Sequence, residues 1–285
     1  MKQPHPVSVH GGHSGQFCSH AADSLEEIVQ VYIDRGYPWV GITEHMPPVS
    51  NAYLYPEEMD AGLDAAALLQ RFAEYIRVCR RLQADYADRI QIFVGFETED
   101  YDGSIDLARR LIERFSPDYV VGSIHHVKNI PFDYSPEMYR KAVDCSGGVD
   151  RLYANYFDRQ YKMVRELSPR VIGHLDIIRI YDPEYRARLM KPAIWEKIVR
   201  NLELIQQLGL ILDFNLRPLS RGEKEPYISE PILQKAIDMG IAVVPGDDSH
   251  GKDSIGAYMQ AAIQILQQAG ADTTWRQPVE TGSPG

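Results

Sequence analysis

The sequence predicts an α/β barrel, and three of its features lead to this prediction. Seven short β-rich segments alternate with longer helical patterns along the 285 residues. These β-rich segments are mostly continuous apolar runs, which are typical of parallel strands covered on both faces. No linker rich in proline, glycine or serine divides the chain, and no short internal repeat occurs. A single TIM-like (β/α)7 barrel is therefore favoured over an open sheet with an appended domain.

The predicted strands set the frame of this barrel. They cover residues 6–10, 39–43, 90–96, 119–124, 170–174, 210–215 and 241–245. None of them is followed by the G-x-G-x-x-G fingerprint of a dinucleotide-binding fold, which argues against that open-sheet alternative.

The predicted helices carry recognisable ends. Ser24 and Glu27 form an S-x-x-E capping box that opens a helix running to about residue 35. Ser135 followed by Pro136 is typical of an N-cap and the first helical position. Several helical patterns are followed by a glycine, the residue that favours a left-handed cap: Gly36, Gly209, Gly240 and Gly270. The other predicted helices cover residues 64–87, 105–115, 149–167, 192–208, 230–239 and 254–269.

The domain organisation follows from the same patterns. Residues 1–271 form the predicted barrel, a single domain with ample material for one core. Residues 272–285 are polar, contain two prolines and offer little to bury. They are predicted to form a flexible C-terminal tail.

Bulk composition excludes several function classes. The net charge of −10 argues against sequence-independent nucleic-acid binding, although bound divalent cations would still admit a small anionic substrate. No apolar run is long enough to span a membrane, so no membrane partner is expected. Three cysteines are too few for a disulfide framework. The N-terminal residues lack an apolar signal segment, and a cytoplasmic location is expected.

Three of the nine histidines fall within residues 9–20, directly after the short apolar run of residues 6–9. His10 and His13 are three residues apart, so a regular strand would place them on opposite faces. Gly11 and Gly12 between them would allow the backbone to bend and bring both imidazoles together. The alternative for this segment is a surface turn with incidental histidines.

Most other candidate ligands follow a predicted strand, at the face where barrel enzymes assemble their sites. They are His45, Glu97, His125, His174, Asp248 and His250. Each alone would more often be a surface or hydrogen-bonded core residue, but together they predict a metal site. A carboxylate such as Glu97 can bridge two cations, and paired ions are typical of phosphate ester hydrolysis. His126 is interpreted as structural, and Cys18 as a buried thiol rather than a ligand.

Six short motifs occur in one order between His10 and His250 and carry a family resemblance. They are residues 13–20, 43–47, 95–97, 122–125, 173–176 and 248–250. On these motifs the chain resembles the histidinol-phosphate phosphatases of the PHP superfamily. The resemblance implies a distorted seven-stranded barrel that holds three divalent metal ions, which would be zinc, iron or manganese.

The resemblance also implies a set of ligands. The first metal would take His10, His13, Glu97 and Asp248. The second would take Glu97, His125 and His174, and the third His20, His45 and His250. Glu97, Asp248 and His250 are the expected catalytic residues. The family usually opens with H-x-H, whereas this chain has two residues between His10 and His13. We expect the glycine pair to bulge and deliver His10 to the site.

A basic loop follows the sixth predicted strand and carries Arg217, Arg221 and Lys224. The planar fork of arginine suits phosphate oxygens, so these residues are predicted to bind substrate. The alternative is a solvated loop, and it weighs most for Lys224.

The resemblance implies an enzyme of histidine biosynthesis that hydrolyses L-histidinol phosphate, with homo-oligomer formation left open. One alternative is a related phosphoesterase or exonuclease that acts on nucleotides or another small phosphate ester. A second is a metal-loaded binding or regulatory subunit without turnover. A third is a metal amidohydrolase, whose sites often carry a carbamylated lysine at a strand end, and no predicted strand end offers a lysine well placed for this.

Overall fold

The computed structural model describes residues 4–279 and confirms the predicted α/β fold. Six parallel strands form one curled sheet in the order β1-β2-β3-β6-β7-β8, and β4 and β5 form a separate antiparallel hairpin that the sequence did not predict. The strands are β1 Trp39–Ile42, β2 Gln91–Glu97, β3 Tyr119–Gly122, β4 His126–Val127, β5 Ile130–Pro131, β6 Val171–Ile172, β7 Ile211–Asn215 and β8 Ala242–Gly246.

The first predicted strand, residues 6–10, is wrong as a regular strand. Ser8 forms only an isolated parallel bridge with Val40 of β1, and the Val9 amide donates to the Pro245 carbonyl of β8 at 2.9 Å. Pro6 has no amide hydrogen to donate, and the glycine pair ends the extended run, so a longer ladder does not form. The short contacts nevertheless join the two edge strands and complete a distorted barrel.

Tyr119 of β3 holds this segment from inside the barrel. Its buried hydroxyl donates to the Val9 carbonyl at 2.7 Å. A Cβ atom at Gly41 would lie 1.8 Å from the same hydroxyl, so only glycine leaves room for this hydrogen bond. The N-terminal residues are thereby fixed against the barrel directly before the histidine-rich stretch.

The helices surround the sheet, and most were predicted. They are α1 Leu25–Asp34, α2 Pro56–Asp60, α3 Ala65–Asp85, α4 Ser104–Phe115, α5 Pro136–Ser146, α6 Val149–Leu167, α7 Tyr185–Leu189, α8 Pro192–Gln207, α9 Arg217–Ser220, α10 Glu230–Asp238 and α11 Met259–Gln268. The capping box of Ser24 and Glu27 is present. The helix predicted from residue 254 begins later, because Gly256 and Tyr258 have left-handed φ angles of 63° and 65°.

Residues 272–279, predicted as part of a loose tail, contact the barrel. Trp275 is buried, and its indole Nε1 donates to the His5 carbonyl at 2.8 Å. The Pro278 carbonyl accepts a hydrogen bond from Arg170 Nε at 3.0 Å. The segment is mostly polar, but the indole ring of Trp275 supplies enough apolar surface to pack against the barrel. Residues 280–285 of the predicted tail lie outside the described residues.

The three cysteines, Cys18, Cys79 and Cys145, are unpaired. Within residues 4–279, no helix combines the length and the apolar character needed to cross a membrane.

Candidate metal centre

The predicted site residues meet at the carboxyl edge of the curled sheet. Glu97 is the last residue of β2, and the other strand-end residues follow a strand by two or three positions. They are His45 after β1, His125 after β3, His174 after β6, Arg217 after β7 and Asp248 after β8. Because parallel strands present their carboxyl ends at one edge, residues far apart in sequence share one surface.

Glu97 lies at the centre of the histidines and is 1% exposed. Its Oε1 atom lies 2.8 Å from an imidazole nitrogen of His174 and 3.1 Å from one of His125. Its Oε2 atom lies 3.3 Å from nitrogens of His10 and His45 and 3.8 Å from His13. Five imidazoles therefore contact one carboxylate on two sides, an arrangement in which Glu97 could bridge two cations.

The glycine pair brings His10 and His13 to the same carboxylate despite their unusual spacing. Gly12 has a left-handed φ of 77°, which turns the chain between the two histidines. The two ring centroids are 6.0 Å apart, and both side chains are fully buried. The structure thus places both imidazoles in the cluster, as expected for a bulge.

A second group of residues extends the cluster toward solvent. Asp248 Oδ1 lies 3.4 Å from His13 Nε2. His250 Nε2 lies 3.1 Å from His20 Nε2, and the His250 and His13 rings stack at 4.4 Å. Cys18 is buried, and its sulfur lies 3.4 Å from His20 Nε2. We call this whole set of histidines, with Glu97 and Asp248, the histidine cluster.

Two carboxylates behind the cluster orient imidazoles, and the sequence analysis missed both. The Nδ1 atom of His10 donates to Asp213 Oδ2 at 2.8 Å, and that of His125 donates to Asp133 Oδ2 at 2.7 Å. In each ring the other nitrogen then faces Glu97. A carboxylate that fixes the far nitrogen of a histidine is the usual support of a metal-binding imidazole.

Glu44 and Glu99 were also missed, although both lie beside residues that were singled out. Glu44 accepts hydrogen bonds from the Ser14 amide and hydroxyl, and its other oxygen lies 3.4 Å from His13 Nδ1. Glu99 Oε1 lies 2.9 Å from His45 Nδ1. The available signal was their position at the ends of predicted strands, next to His45 and Glu97.

The donor set fits divalent cations. Within residues 4–279, several buried imidazole nitrogens find no hydrogen-bond partner, among them His10 Nε2 and both nitrogens of His13. Buried polar atoms are rarely left in this way without an ion or ligand to satisfy them. Potential ligand atoms form four groups among the described residues, and within each group the atoms lie within 4.8 Å of one another. The groups are His10-His13-Glu97, Glu97-His125-His174, His45-Glu99-His125 and His13-Cys18-His45-His250.

Electrostatics keep the two central carboxylates ionised. Burial raises the pKa of Glu97, but the charges of His10, His45 and His125 outweigh burial and hold the pKa well below its usual range. Burial likewise raises the pKa of Asp248, yet its hydrogen bond to His13 and nearby positive charges lower that pKa well below normal. Both side chains can therefore act as anionic ligands.

A cavity of about 380 Å³ opens above the histidine cluster. Arg217 and Arg221 line it, and Arg217 donates to the Asp248 carbonyl at 3.1 Å and contacts His250. Lys224 is exposed and does not line this cavity, which places it apart from the two arginines. His126 is buried, and its Nδ1 donates to the Glu99 carbonyl at 3.1 Å, as suits a structural role.

Comparisons with known proteins identify several relatives of this chain. Residues 11–217 match the family described as PHP domain. The chain is 37% identical over 269 residues to a Schizosaccharomyces pombe protein assigned as a histidinol-phosphatase, covering 93% of this chain and 87% of that one. It is 26% identical over 281 residues to the histidinol-phosphatase of Saccharomyces cerevisiae, with 87% and 84% covered.

A solved structure shares the fold. It is the histidinol phosphate phosphatase of Lactococcus lactis in complex with zinc, L-histidinol and phosphate. The TM-score is 0.70 at 19% identity, and 94% of each chain is covered. Residues 11–217, which match the PHP domain, contain most of the histidine cluster. The similarity to the S. pombe protein extends over 93% of this chain. The chain therefore belongs to the PHP domain family.

Proposed function

We propose that this chain is a metal-dependent phosphomonoesterase that hydrolyses L-histidinol phosphate to L-histidinol and phosphate. The observation that carries the proposal is Glu97 surrounded by five imidazoles, in a cavity that Arg217 and Arg221 also line. Relatives named histidinol-phosphatases that align over most of the chain support the choice of substrate.

The ligand assignment is part of this proposal. We assign His10, His13, Glu97 and Asp248 to a first ion, and Glu97, His125 and His174 to a second. A third would be held by His20, His45 and His250. The zinc in the L. lactis structure and the close grouping of these ligand atoms support divalent ions. The number of ions, the cytoplasmic location and homo-oligomer formation stay predictions from the sequence.

Different residues of this chain hold the metal ligands and bind the phosphoryl group. Divalent ions bound at such a site polarise phosphate oxygens and lower the pKa of water. Asp213 and Asp133 hold His10 and His125 with one nitrogen facing Glu97, which keeps the ligands in place before substrate arrives. Arg217 and Arg221 would bind the phosphoryl oxygens and balance their negative charge in the transition state.

The cavity weighs against the amidohydrolase alternative. Such sites often carry a carbamylated lysine among the ligands, and no lysine is found among the described residues that line this cavity. Arg217 and Arg221 there instead suit a phosphate group.

The test is phosphate release from L-histidinol phosphate by protein supplied with excess zinc or manganese. We expect kcat/KM at least about 100-fold above that for nucleoside monophosphates. Glu97→Gln should lose nearly all turnover, because the neutral amide cannot bridge cations. The control is Glu113→Gln, at an exposed position of α4, which should keep the wild-type turnover. Elemental analysis should give about two to three metal equivalents.

Equal turnover of nucleotides would favour the phosphoesterase or exonuclease alternative. Full metal content without hydrolysis of any phosphate ester would favour the binding-subunit alternative. One metal equivalent or fewer, after metal is supplied in excess, would contradict the three-ion assignment.

A further inference from the structure

One wall of the cavity carries negative charge although the proposed substrate is a phosphate ester. This wall is built by residues 51–60, which lie between β1 and α3 and include helix α2. Glu57 and Glu58 of α2 line the cavity there, together with Arg71 of α3. The charged side chains that line the cavity here, two carboxylates and one guanidinium, sum to −1. A site that bound only phosphate would gain nothing from carboxylates at this place.

Each of the two carboxylates uses one oxygen in a hydrogen bond within the protein, and the other oxygen of Glu57 lies near the histidine cluster. Glu58 accepts from the Tyr55 amide at 2.8 Å, and this bond caps α2. Glu57 Oε2 accepts from the Tyr134 hydroxyl at 3.1 Å, which orients the side chain. No hydrogen bond within the described residues engages its Oε1 atom, which lies 3.9 Å from His20 Nδ1.

Glu57 is also close enough to the cluster to meet the rest of a bound ester. Its Oε1 faces one nitrogen of the His20 ring, and the other nitrogen of that ring lies 3.1 Å from His250. One imidazole ring therefore separates Glu57 from the third proposed metal site. Glu57 and the histidine cluster line the same cavity, so an ester whose phosphate lies at the cluster has room to place its alcohol portion along this wall.

Aromatic rings frame the same place. The rings of Tyr55 and Tyr134 stack with centroids 5.5 Å apart, and the Tyr55 hydroxyl donates to Glu99 Oε2 at 3.0 Å. Ring faces attract cations, and they do so most where water is partly excluded. The wall thus combines a carboxylate oxygen with aromatic surface, the chemistry that recognises an organic cation.

We propose that Glu57 is a specificity-determining residue that binds the cationic end of the substrate, an ammonium group or a protonated imidazole. The cavity would then select phosphate esters that carry a positive charge on the alcohol portion. Arg217, Arg221 and the histidine cluster bind the anionic end, and Glu57 binds the opposite end. The proposal rests on the proposed phosphatase function and deepens it, because L-histidinol carries both kinds of basic group.

The experiment compares two phosphate esters in Glu57→Gln. Glutamine keeps the size of the side chain and can still accept from Tyr134, so the fold of α2 should be retained. We expect kcat/KM for L-histidinol phosphate to fall about 10-fold or more, mainly through KM. For p-nitrophenyl phosphate, which has no positive charge, kcat/KM should change by less than about 2-fold.

Product inhibition gives a second readout that does not depend on turnover of the charged ester. With p-nitrophenyl phosphate as substrate, the Ki of L-histidinol should rise about 10-fold in Glu57→Gln, while that of inorganic phosphate should not change. The matched control is Asp60→Asn, which removes an exposed carboxylate of the same helix that does not line the cavity. It should leave both esters and both inhibitors as in the wild type.

Two outcomes would overturn the inference. An equal loss for both esters would mean that Glu57 acts through His20 on the metal site. An unchanged kcat/KM for both esters would mean that Glu57 does not bind the substrate. Wild-type protein that hydrolyses p-nitrophenyl phosphate but not L-histidinol phosphate would refute the proposed function instead. The comparison is then made with O-phosphorylethanolamine as the charged ester, which tests the role of Glu57 separately.

Discussion

At the residue scale, Asp213 determines which nitrogen of His10 faces the histidine cluster. Asp213 is fully buried, accepts from His10 Nδ1 at 2.8 Å and also accepts from Asn215 Nδ2 at 3.0 Å. We expect Asp213→Asn to weaken metal retention and to lower kcat by about 10- to 100-fold, because the imidazole loses its charged support. Metal content after dialysis and phosphatase activity measure both effects.

The control for Asp213→Asn is Asp238→Asn at the exposed end of α10, which should behave as the wild type. Circular dichroism should show an unchanged fold in both variants. Retention of all metal and full activity in Asp213→Asn would show that His10 does not need this carboxylate.

Sequence could predict the inner residues of the site better than their supports. His45, Glu97, His125, His174 and Asp248 were found because each ends or directly follows a predicted strand. Asp213 lies within the strand β7, where a charged residue gives no periodic signal and only the packed neighbour reveals its role. Asp133 follows the β4-β5 hairpin, which was not predicted, so its contact with His125 could not be anticipated.

At the scale of elements, the turn at Gly11 and Gly12 positions two imidazoles. A Cβ atom at Gly12 would lie 2.5 Å from Ile42 Cδ1, and φ is 77° there. We expect Gly12→Ala to destabilise the fold by about 2–4 kcal/mol, from a left-handed alanine plus this contact. It should also release metal more readily, because His10 and His13 are displaced. Thermal unfolding and metal content measure these two effects.

Gly62 provides a matched control that measures the cost of a left-handed alanine alone, without a steric contact. Its φ is 69°, and nothing lies within 4 Å of the position of a Cβ atom. Gly62→Ala should therefore cost only about 1–2 kcal/mol and leave metal content unchanged. If the two variants retained metal equally well, the turn would not control the histidines.

The loop after β7 depends on Arg179, which the sequence analysis missed. This buried guanidinium donates to Glu223 Oε2 at 2.7 Å and to the carbonyls of Glu225 and Pro226 at 2.9 Å. Lysine cannot supply this planar set of donors. We expect Arg179→Lys to cost about 2–4 kcal/mol and to raise KM several-fold, because the residues that follow α9, the helix of Arg217, become less ordered.

The control for Arg179→Lys is Arg186→Lys, whose guanidinium is 57% exposed and lies 3.0 Å from Glu225. An ion pair made by a mostly exposed guanidinium contributes little, so the stability of the Arg186→Lys protein should change by less than about 1 kcal/mol. Unfolding by urea and substrate titrations of both variants separate stability from KM. An unaltered KM in Arg179→Lys would show that the loop does not need this anchor.

Element prediction succeeded where the amphipathic pattern was long and failed where contacts decided the outcome. α3 and α6 are 21 and 19 residues long and were found within two residues of their ends. The short helices α2, α7 and α9 have four or five residues each, too few for a helical period to show in the sequence. α2 carries Glu57, so the wall of the cavity was not predicted.

At the scale of the whole molecule, barrel closure depends on both ends of the described chain. Residues 8 and 9 join β1 to β8, and the Trp275 indole donates to the His5 carbonyl just before them. The alternation of strands and helices predicted the parallel sheet, because it reflects the buried faces. It could not predict this closure, which depends on two short contacts and one buried ring rather than on a repeating pattern.

Trp275 should therefore stabilise the barrel although it lies in a segment predicted to be a loose tail. The side chain is 7% exposed, and truncating a buried tryptophan typically costs about 3–5 kcal/mol. We expect Trp275→Ala to lower Tm by about 6–15 °C and to speed metal loss to a chelator, because the strand-like residues before His10 lose their anchor. Thr274→Ala removes only an exposed hydroxyl that donates to Asp272, and should change Tm by about 1 °C or less. If Trp275→Ala unfolded at the wild-type temperature, the end of the chain would not hold the barrel closed. If Tm fell but metal loss kept the wild-type rate, Trp275 would support the barrel without reaching the histidine cluster.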